Sequence, residues 1–322
     1  RGEPVHADVV YTWAEDVLAS GDAVVPISKE DPVDLSSIVG CAVLTGAGAV
    51  MNTAKVRPGD AVAVFGVGGV GLSAIRMAAI LEAYPIIAVD LKDEKLEFAK
   101  EFGATHGVNA SKVNAVEAVV DISGGGVDFA FDAIGVRATN EQILPSTRGG
   151  GSGADNHGGM AVLIGIPGKE MTVDPRLFMS AQRQFRGSLG ATYPDKDFPM
   201  YLRWHREGKF PLDKLITRRY KLDEINEACD ALTAGEILGR AMLEIVFLLF
   251  LVRRAINHSL ISYQGYRKFL QAAGSISVFK GLESELEDNQ EDMNPEGSAP
   301  DFGQPICFSN LWFGYDNSAA VL

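Results

Sequence analysis

Three glycines and one aspartate have the types and the spacing of a phosphate-binding loop. Gly66, Gly68 and Gly71 fill the G-x-G-x-x-G positions. There the first glycine permits a sharp turn, the second lets the backbone approach a pyrophosphate, and the third lets a helix pack closely. Asp90 follows nineteen positions after Gly71, where a carboxylate accepts hydrogen bonds from the adenosine ribose hydroxyls and repels a 2′-phosphate. These residues predict a dinucleotide site that takes NAD rather than NADP.

The residues around the glycines form the elements that must hold such a loop. Residues 61–65 are a short apolar run, typical of a strand buried on both faces of a parallel sheet, and 86–89 are a second such run. The helix predicted between them has an apolar face formed by Leu72, Ile75 and Ala79, and its free N–H groups would face the phosphates. A glycine pattern alone also arises in a tight turn without a ligand. Strand, glycines, helix, strand and acid together favour the cofactor.

The alternation of strand and helix continues beyond Asp90. The pattern predicts helices at 92–102, 114–123 and 138–144 and strands at 106–109, 127–131 and 160–164. Repeated strands and helices with short connections are the signature of a doubly wound parallel α/β sheet of the Rossmann type. The glycine-rich segment 148–159 is predicted as a loop on the side of the sheet away from the cofactor, with His157 in solvent.

Shorter elements flank the predicted sheet on both sides. Before it we expect strands at 11–17 and 23–27 and helices at 34–39 and 41–54. After it we expect helices at 195–206 and 223–232 and a strand at 240–247. The amino-terminal strands look like the end of a β-rich domain, which the later elements return to complete. Residues 171–173 are predicted as an edge strand available for pairing with a second subunit.

Composition limits the class of partner. The chain has 322 residues, enough for about two domains, and its 29 Lys and Arg against 42 Asp and Glu give a net charge of −13. Such acidity disfavours nucleic acid or an anionic membrane as the main partner. The three cysteines are odd in number and far apart, which indicates no disulfide framework and predicts a cytoplasmic location.

The two ends of the chain are less typical of a globular domain. The chain opens at Arg1 without an initiator Met or a signal-like segment, so we expect it to start inside a longer protein. The most apolar run, 245–252, is far shorter than the about 20 residues that span a bilayer. Residues 253–268 fit either a basic amphipathic helix or part of a disordered extension, and the acidic run 283–301 favours the extension.

A second set of spaced segments includes Cys41. These are GCAVLTG at 40–46, VRPGD at 56–60, GIP at 165–167 and GRA at 239–241. Together with the glycine loop, they resemble the medium-chain, zinc-dependent alcohol dehydrogenases from about residue 13 to about residue 245. The resemblance implies an NAD-binding Rossmann domain at 42–186, between two parts of a β-rich GroES-like catalytic domain at 1–41 and 187–247. An atypical tail remains at 248–322.

The resemblance also implies roles for individual residues. Cys41 would be one of three protein ligands to a catalytic Zn²⁺, with an open fourth position for the alcohol oxygen. Taken alone, a cysteine in an apolar helix is usually a small core residue, and core packing is likewise the alternative for the apolar residues below. At the nicotinamide end, Thr45 and Val70 would pack against the ring, and the backbone at Ile164, Ser188 and Gly190 would hold the carboxamide. At the adenosine end, Leu91 and Ile134 would pack against adenine, and Lys95 would help hold the ribose. Between them, Gly69 would belong to the phosphate loop and Arg240 would pair with the pyrophosphate.

The sequence departs from the family pattern in its metal ligands. The family's other zinc ligands and its proton-relay hydroxyl lie in an amino-terminal domain upstream of the residues present, and His6 is a poor substitute because it precedes the closing strands. For the parent protein, the resemblance implies zinc-assisted, NAD-dependent interconversion of a small alcohol and its aldehyde or ketone, in a homodimer or homotetramer. For this chain we expect NAD binding with little turnover.

Two other functions remain open at this stage. One is a zinc-free, NADPH-dependent quinone or enoyl reductase of the same superfamily, against which Asp90 and Cys41 both argue. The other is a non-catalytic chain that binds nucleotide or partners. The relative affinity for NAD and NADP distinguishes the reductase from an NAD-dependent dehydrogenase. Metal content and activity distinguish the non-catalytic chain from an enzyme.

Overall fold

The computed structural model describes residues 24–151, 157–244 and 319–321. The chain divides into two compact units, and the features below, apart from residues 319 and 320, lie in the unit formed by Val25–Glu244 and Val321–Leu322. The predicted strand 11–17, His6 and almost all of the tail at 248–322 lie outside the described residues.

A six-stranded parallel sheet forms the centre of this unit. Its spatial order is β3-β2-β1-β4-β5-β6, with every neighbouring pair parallel. The strands are β1 (Val62–Phe65), β2 (Ile86–Asp90), β3 (His106–Asn109), β4 (Phe129–Asp132), β5 (Met160–Leu163) and β6 (Gln184–Gly187). The order reverses between β1 and β4, which in open α/β sheets opens a ligand crevice at the carboxyl ends of the strands. The predicted doubly wound sheet is confirmed.

Helices connect and cover these strands. They are α1 (Val33–Ala54), α2 (Gly69–Ile80), α3 (Asp93–Lys100), α4 (Ala115–Ser123), α5 (Arg137–Ile143), α6 (Arg176–Met179), α7 (Pro194–Arg206), α8 (Leu212–Leu215) and α9 (Ile225–Thr233). All four residues of β1 are buried, as an apolar strand between two helical layers requires. Capping residues set both ends of α4 as the sequence predicts. The Asn114 side chain accepts from the N–H groups of Val116 and Glu117 at its start, and Gly124 ends the helix with φ +71°.

One long helix precedes the sheet where two helices were predicted. Residues 34–39 and 41–54 join into α1 through π-helical turns at Val39–Val43 and Ala49–Ala54. The helix is long and apolar enough to cross a membrane, but 67% of its most apolar 18-residue window is buried within the protein. A Cβ at Gly46 would overlap the Val70 carbonyl oxygen of α2. This close approach makes α1 a core helix of the fold.

A second, small sheet region follows the six-stranded sheet along the chain. Strands β7 (Ile216–Lys221) and β8 (Arg240–Glu244) pair in parallel, with α9 between them in sequence. A further strand, β9, comprises Ala319–Val321. The predicted strand at 240–247 is thus confirmed as far as Glu244, and the domain boundaries at 41/42 and 186/187 stay predictions.

Two predicted strands are absent from the described residues. Residues 24–27 of the predicted strand 23–27 are not paired in a sheet. Residues 171–173 are also unpaired, because the Thr172 N–H donates to the Glu141 carboxylate at 2.8 Å and Val173 packs against the core of the six-stranded sheet. Within a single chain these residues are not a strand, and their pairing with a second subunit stays a prediction.

Candidate cofactor site

The glycine loop connects β1 to α2 in the geometry that its sequence predicts. Gly66 has φ +89°, and its N–H donates to the Val89 carbonyl of β2 at 2.8 Å. A Cβ at Gly71 would overlap the Gly66 carbonyl oxygen, so helix and turn touch backbone to backbone. At Gly68, by contrast, an added Cβ meets no atom within 4 Å. The loop therefore presents open space at the glycine that the motif assigns to the pyrophosphate.

Asp90 closes one side of this loop. One carboxylate oxygen accepts from the Val67 N–H at 3.0 Å, and the other accepts from the Leu91 N–H at 2.8 Å. The carboxylate of β2 thus lies against the glycine turn of β1, where the predicted ribose contact would be made. Because each oxygen has two lone pairs, acceptor capacity remains for a ligand.

The two residues predicted to enclose adenine are exposed rather than packed in the core. Leu91 is 63% exposed and Ile134 is 46% exposed. Ile134 follows β4, and a Cβ at Gly66 would collide with its side chain, so Ile134 stands at the wall of the glycine turn. Lys95 is half-buried on α3, and among the described residues no hydrogen bond joins it to Asp90.

Groups predicted for the nicotinamide end also meet. Gly190 has φ +76°, and a Cβ there would overlap the Thr45 carbonyl oxygen of α1. The Ser188 hydroxyl lies 2.7 Å from the Thr53 hydroxyl and accepts from the Gly190 N–H at 3.1 Å. The Ile164 N–H already donates to the Asp132 carbonyl at 3.0 Å. The predicted contact of Ile164 with the carboxamide would therefore use its carbonyl oxygen.

Cys41 and Arg240 are brought together beside the loop. Cys41 is exposed on α1, and its Sγ lies 3.9 Å from Nη2 of Arg240 at the start of β8. The stem of Arg240 lies against Gly69, where an added Cβ would be 2.6 Å from Nε. Val70, the next residue, is half-buried on the first turn of α2. The predicted metal ligand, the predicted pyrophosphate contact and the glycine loop are therefore neighbours.

The described residues do not form a metal site by themselves. Among them, no three His, Cys, Asp or Glu side chains lie close enough together to hold a metal ion. The Cys41 sulfur contacts the Arg240 guanidinium, which cannot be a ligand because it carries no free lone pair and stays protonated. His157 is exposed, and its carbonyl accepts from Arg148 Nη1 at 2.7 Å.

Asp132 was missed as a site residue by the sequence analysis. It ends β4 and is fully buried, and its carboxylate accepts from the N–H groups of Ile134 at 2.8 Å and Gly135 at 3.1 Å. Its position gives the signal that could have found it: like Asp90, it is an acid that ends a buried strand at the carboxyl edge of the sheet.

Known proteins support a shared origin for this arrangement. The model of the zinc-binding dehydrogenase family matches residues 69–207. The S-(hydroxymethyl)glutathione dehydrogenase of Komagataella pastoris is 34% identical over 235 residues, which are 71% of this chain and 59% of that protein. Alcohol dehydrogenase 1 of Pisum sativum is 33% identical over 242 residues, 73% of this chain and 62% of that protein. The chain belongs to the zinc-dependent medium-chain alcohol dehydrogenase family.

Solved structures of dehydrogenases also match the chain. The benzyl alcohol dehydrogenase from Acinetobacter calcoaceticus has a TM-score of 0.61 and 34% identity, covering 66% of this chain and 57% of that chain. A zinc-binding dehydrogenase from Sinorhizobium meliloti, with a TM-score of 0.53 and 25% identity over 63% of this chain and 57% of that chain, was solved bound to NADP. The chain thus spans about 60% of the length of the curated dehydrogenases it matches, from 59% to 62%.

Proposed function

We propose that this chain binds NAD at the carboxyl edge of its six-stranded sheet, as the cofactor-binding part of a dehydrogenase that interconverts small alcohols with aldehydes or ketones. The observation that carries the cofactor proposal is the contact between the Asp90 carboxylate and the Val67 N–H of the glycine turn, at 3.0 Å. It fixes an acid at the position where a dinucleotide presents its adenosine ribose. The alcohol class rests on the names of the family relatives.

Charge supports NAD over NADP. Both Asp90 oxygens are held by backbone N–H groups, so the carboxylate has little freedom to rotate away from a ligand. A 2′-phosphate carries up to two negative charges, and charges of the same sign a few ångströms apart repel by about 1 to 4 kcal/mol near a protein surface. Two ribose hydroxyls, by contrast, donate to a carboxylate.

The remaining site residues have proposed roles along the same cleft. Thr45, Val70 and Gly190 would contact the nicotinamide, and the Arg240 guanidinium would pair with the pyrophosphate, which suits its bidentate geometry. Cys41 provides a single thiolate. Since the described residues do not fit a zinc ion, zinc-assisted oxidation is not assigned to them alone.

An equilibrium titration with NADH and NADPH tests the cofactor proposal. Wild-type protein is expected to bind NADH about tenfold more tightly than NADPH. The Asp90→Asn variant is expected to lose most of this preference, because the negative charge is gone while the shape is kept. Asp93→Asn is the matched control: Asp93 is an exposed acid three residues further on, paired with Lys112, and the variant should keep the wild-type ratio. Equal affinities for both cofactors in wild type would contradict the proposal.

A zinc-free reductase that uses NADPH is the second candidate. It is favoured by one observation, the guanidinium of Arg240 beside Cys41 where a metal-binding thiolate would have other ligands. The same titration decides: a tenfold preference for NADPH, without zinc in the purified protein, would replace the first proposal with this one.

Assembly and location are also proposals. We propose a cytoplasmic homodimer or homotetramer that acts on a small alcohol or aldehyde and binds neither nucleic acid nor membrane. The net charge of −13 argues against nucleic acid and membrane as partners. The pairing predicted for residues 171–173 would join two subunits. Light scattering on the purified chain measures the number of subunits, and a monomer at micromolar concentration would contradict the assembly.

A further inference from the structure

The carboxylate of Asp132 is the centre of a buried polar network at the end of β4. One oxygen accepts from the Ile134 N–H at 2.8 Å and the Gly135 N–H at 3.1 Å. It also lies 3.0 Å from the Thr139 hydroxyl, whose single hydrogen is shared with the Val136 carbonyl at 3.0 Å. The other oxygen accepts from the side-chain amide of Asn140. Asp132 and Asn140 are both buried. The turn after β4 and the start of α5 are therefore folded around one carboxyl group.

This is an unusual choice of residue for a protein interior. Burying a carboxylate is costly unless it is fully hydrogen-bonded, and its four donors here are all neutral groups. A buried acid is nevertheless the side chain that accepts several hydrogen bonds at once, since its two oxygens offer about four lone-pair sites. The cost indicates that the shape of this turn matters more than local stability.

The backbone of Asp132 fixes a second loop. Its carbonyl oxygen accepts from the Ile164 N–H at 3.0 Å and the Gly165 N–H at 2.9 Å, directly after β5. The two loops then touch: Gly135 has φ +88°, and a Cβ there would overlap the Ile166 carbonyl oxygen. One residue thus sets both the turn after β4 and the turn after β5.

The residues that these turns present do not belong to the core. Ile134 is 46% exposed and Ile166 is 90% exposed. Ile134 also stands against Gly66 of the glycine loop. A network that holds exposed apolar side chains in place serves the surface that they form, which here is the proposed cofactor cleft.

We propose that the Asp132 side chain is a positioning group of this cleft, setting the adenine wall through Ile134 without touching the cofactor itself. This rests on the proposed function. Loss of the Asp132 carboxylate should weaken the binding of NADH. It should also weaken the binding of AMP, which carries only the adenosine half of the cofactor, because both ligands would contact Ile134.

The test compares Asp132→Ala with the conservative Asp132→Asn. Alanine removes the acceptor for every donor, and the affinities for NADH and AMP are expected to fall about tenfold. Asparagine keeps one oxygen for Ile134, Gly135 and Thr139, and the Asn140 amide can rotate to offer its own oxygen to the new NH₂ group. Asp132→Asn is therefore expected to stay within about threefold of wild type.

A matched control separates positioning from general stability. Val119 is fully buried on α4 in the core of the sheet, so Val119→Ala lowers stability through a cavity. It should leave NADH and AMP affinities unchanged at a temperature where the protein is folded. A fall in affinity equal to that of Asp132→Ala would overturn the inference, because general loosening would then explain both.

The outcomes distinguish this inference from the proposed function. Wild-type protein that binds neither NADH nor NADPH removes the proposed function and the inference with it. Wild-type binding together with folded Asp132→Ala that binds NADH and AMP normally removes only the inference. Should Asp132→Ala not fold, Thr139→Val deletes one donor from a half-buried position, and an affinity about threefold weaker supports the inference whereas an unchanged one overturns it.

Discussion

The Cys41 sulfur lies 3.9 Å from Nη2 of Arg240. The same arginine lies along Gly69 of the glycine loop, so a thiol from α1 and a loop after β1 share one cation from β8. A bound pyrophosphate would compete for this guanidinium, since a phosphate group can accept two charge-assisted hydrogen bonds from it and the contact with sulfur is long, at 3.9 Å. Cofactor binding should therefore change the surroundings of Cys41.

Alkylation of Cys41 is expected to slow when cofactor is bound. Iodoacetamide should modify it about tenfold more slowly at saturating NADH, because the ligand covers the exposed sulfur. Peptide mass spectrometry measures the rate at each cysteine. Cys229, an exposed thiol on α9, is the internal control and should react equally fast with and without NADH. Unchanged reactivity at Cys41 under saturation would place the cofactor away from this sulfur.

Lys92 is expected to support adenosine binding by holding the turn that follows Asp90. Its Nζ donates to the carbonyls of Ala234 at 3.1 Å and Gly235 at 3.0 Å, which ties the turn after Asp90 to the end of α9. Lys92→Met keeps the aliphatic stem and should lower the unfolding free energy by roughly 1 kcal/mol and NADH affinity about threefold. Lys95→Met is the comparison and should lower affinity without this loss of stability. Urea unfolding and fluorescence titration measure the two effects.

Tyr201 carries a hydroxyl that contributes nothing to the fold. The side chain is fully buried on α7, and its oxygen has no hydrogen-bond partner among the described residues. Tyr201→Phe should leave the free energy of unfolding unchanged or raise it by about 1 kcal/mol, since an unsatisfied buried hydroxyl is removed. The control is Tyr220→Phe, which removes the acceptor of a 3.2 Å bond from Arg218 and should destabilise. A loss at Tyr201 as large as that at Tyr220 would mean that its hydroxyl does have a partner.

Asp197 should make stability depend on pH. Burial raises the pKa of its carboxyl above the ordinary value of 3.8, although the hydrogen bond from Asn52 and the charge of Lys196 oppose this. A raised folded-state pKa means that the contribution to stability is complete below pH 3.8 and is lost as the pH rises through the raised value.

The Asp197→Asn variant should therefore gain stability relative to wild type at neutral pH, with the gain vanishing near pH 3.8. Thermal unfolding across this pH range measures it. Asp195→Asn, an exposed acid in the first turn of the same helix, should show no such gain, because its charge favours the helix amino terminus. A pH-independent difference at Asp197 would contradict the account.

The sequence predicted the sheet because its strands are marked locally. Buried apolar runs such as 61–65 and 86–89 end at turn residues, and capping residues such as Asn114 fix the helix ends. The unity of α1 was not visible, because Gly40, a weak helix former, lies between the helices predicted at 34–39 and 41–54. For residues 171–173, the chain by itself shows a contact with Glu141, and the predicted pairing with a second subunit stays a prediction.

The candidate site was predictable only in part. The glycine loop and Asp90 have a spacing that carries their chemistry, and the structure places them together. Asp132 escaped because its donors come from four different residues, whose convergence on one carboxylate follows from the folded turn. The contact between Cys41 and Arg240 joins residues 199 positions apart, a proximity that no local pattern contains.

Gly68 offers the most direct test of the central claim, that the turn after β1 receives a dinucleotide pyrophosphate. Its backbone, with φ −80° and ψ −168°, suits any residue, and an added Cβ meets no atom within 4 Å. Gly68→Val should therefore fold, with a loss of about 1 kcal/mol because valine is a poorer helix N-cap than glycine, while filling the space of the pyrophosphate. Titration with NADH should show affinity reduced about hundredfold or more. Wild-type NADH affinity in folded Gly68→Val would contradict the account.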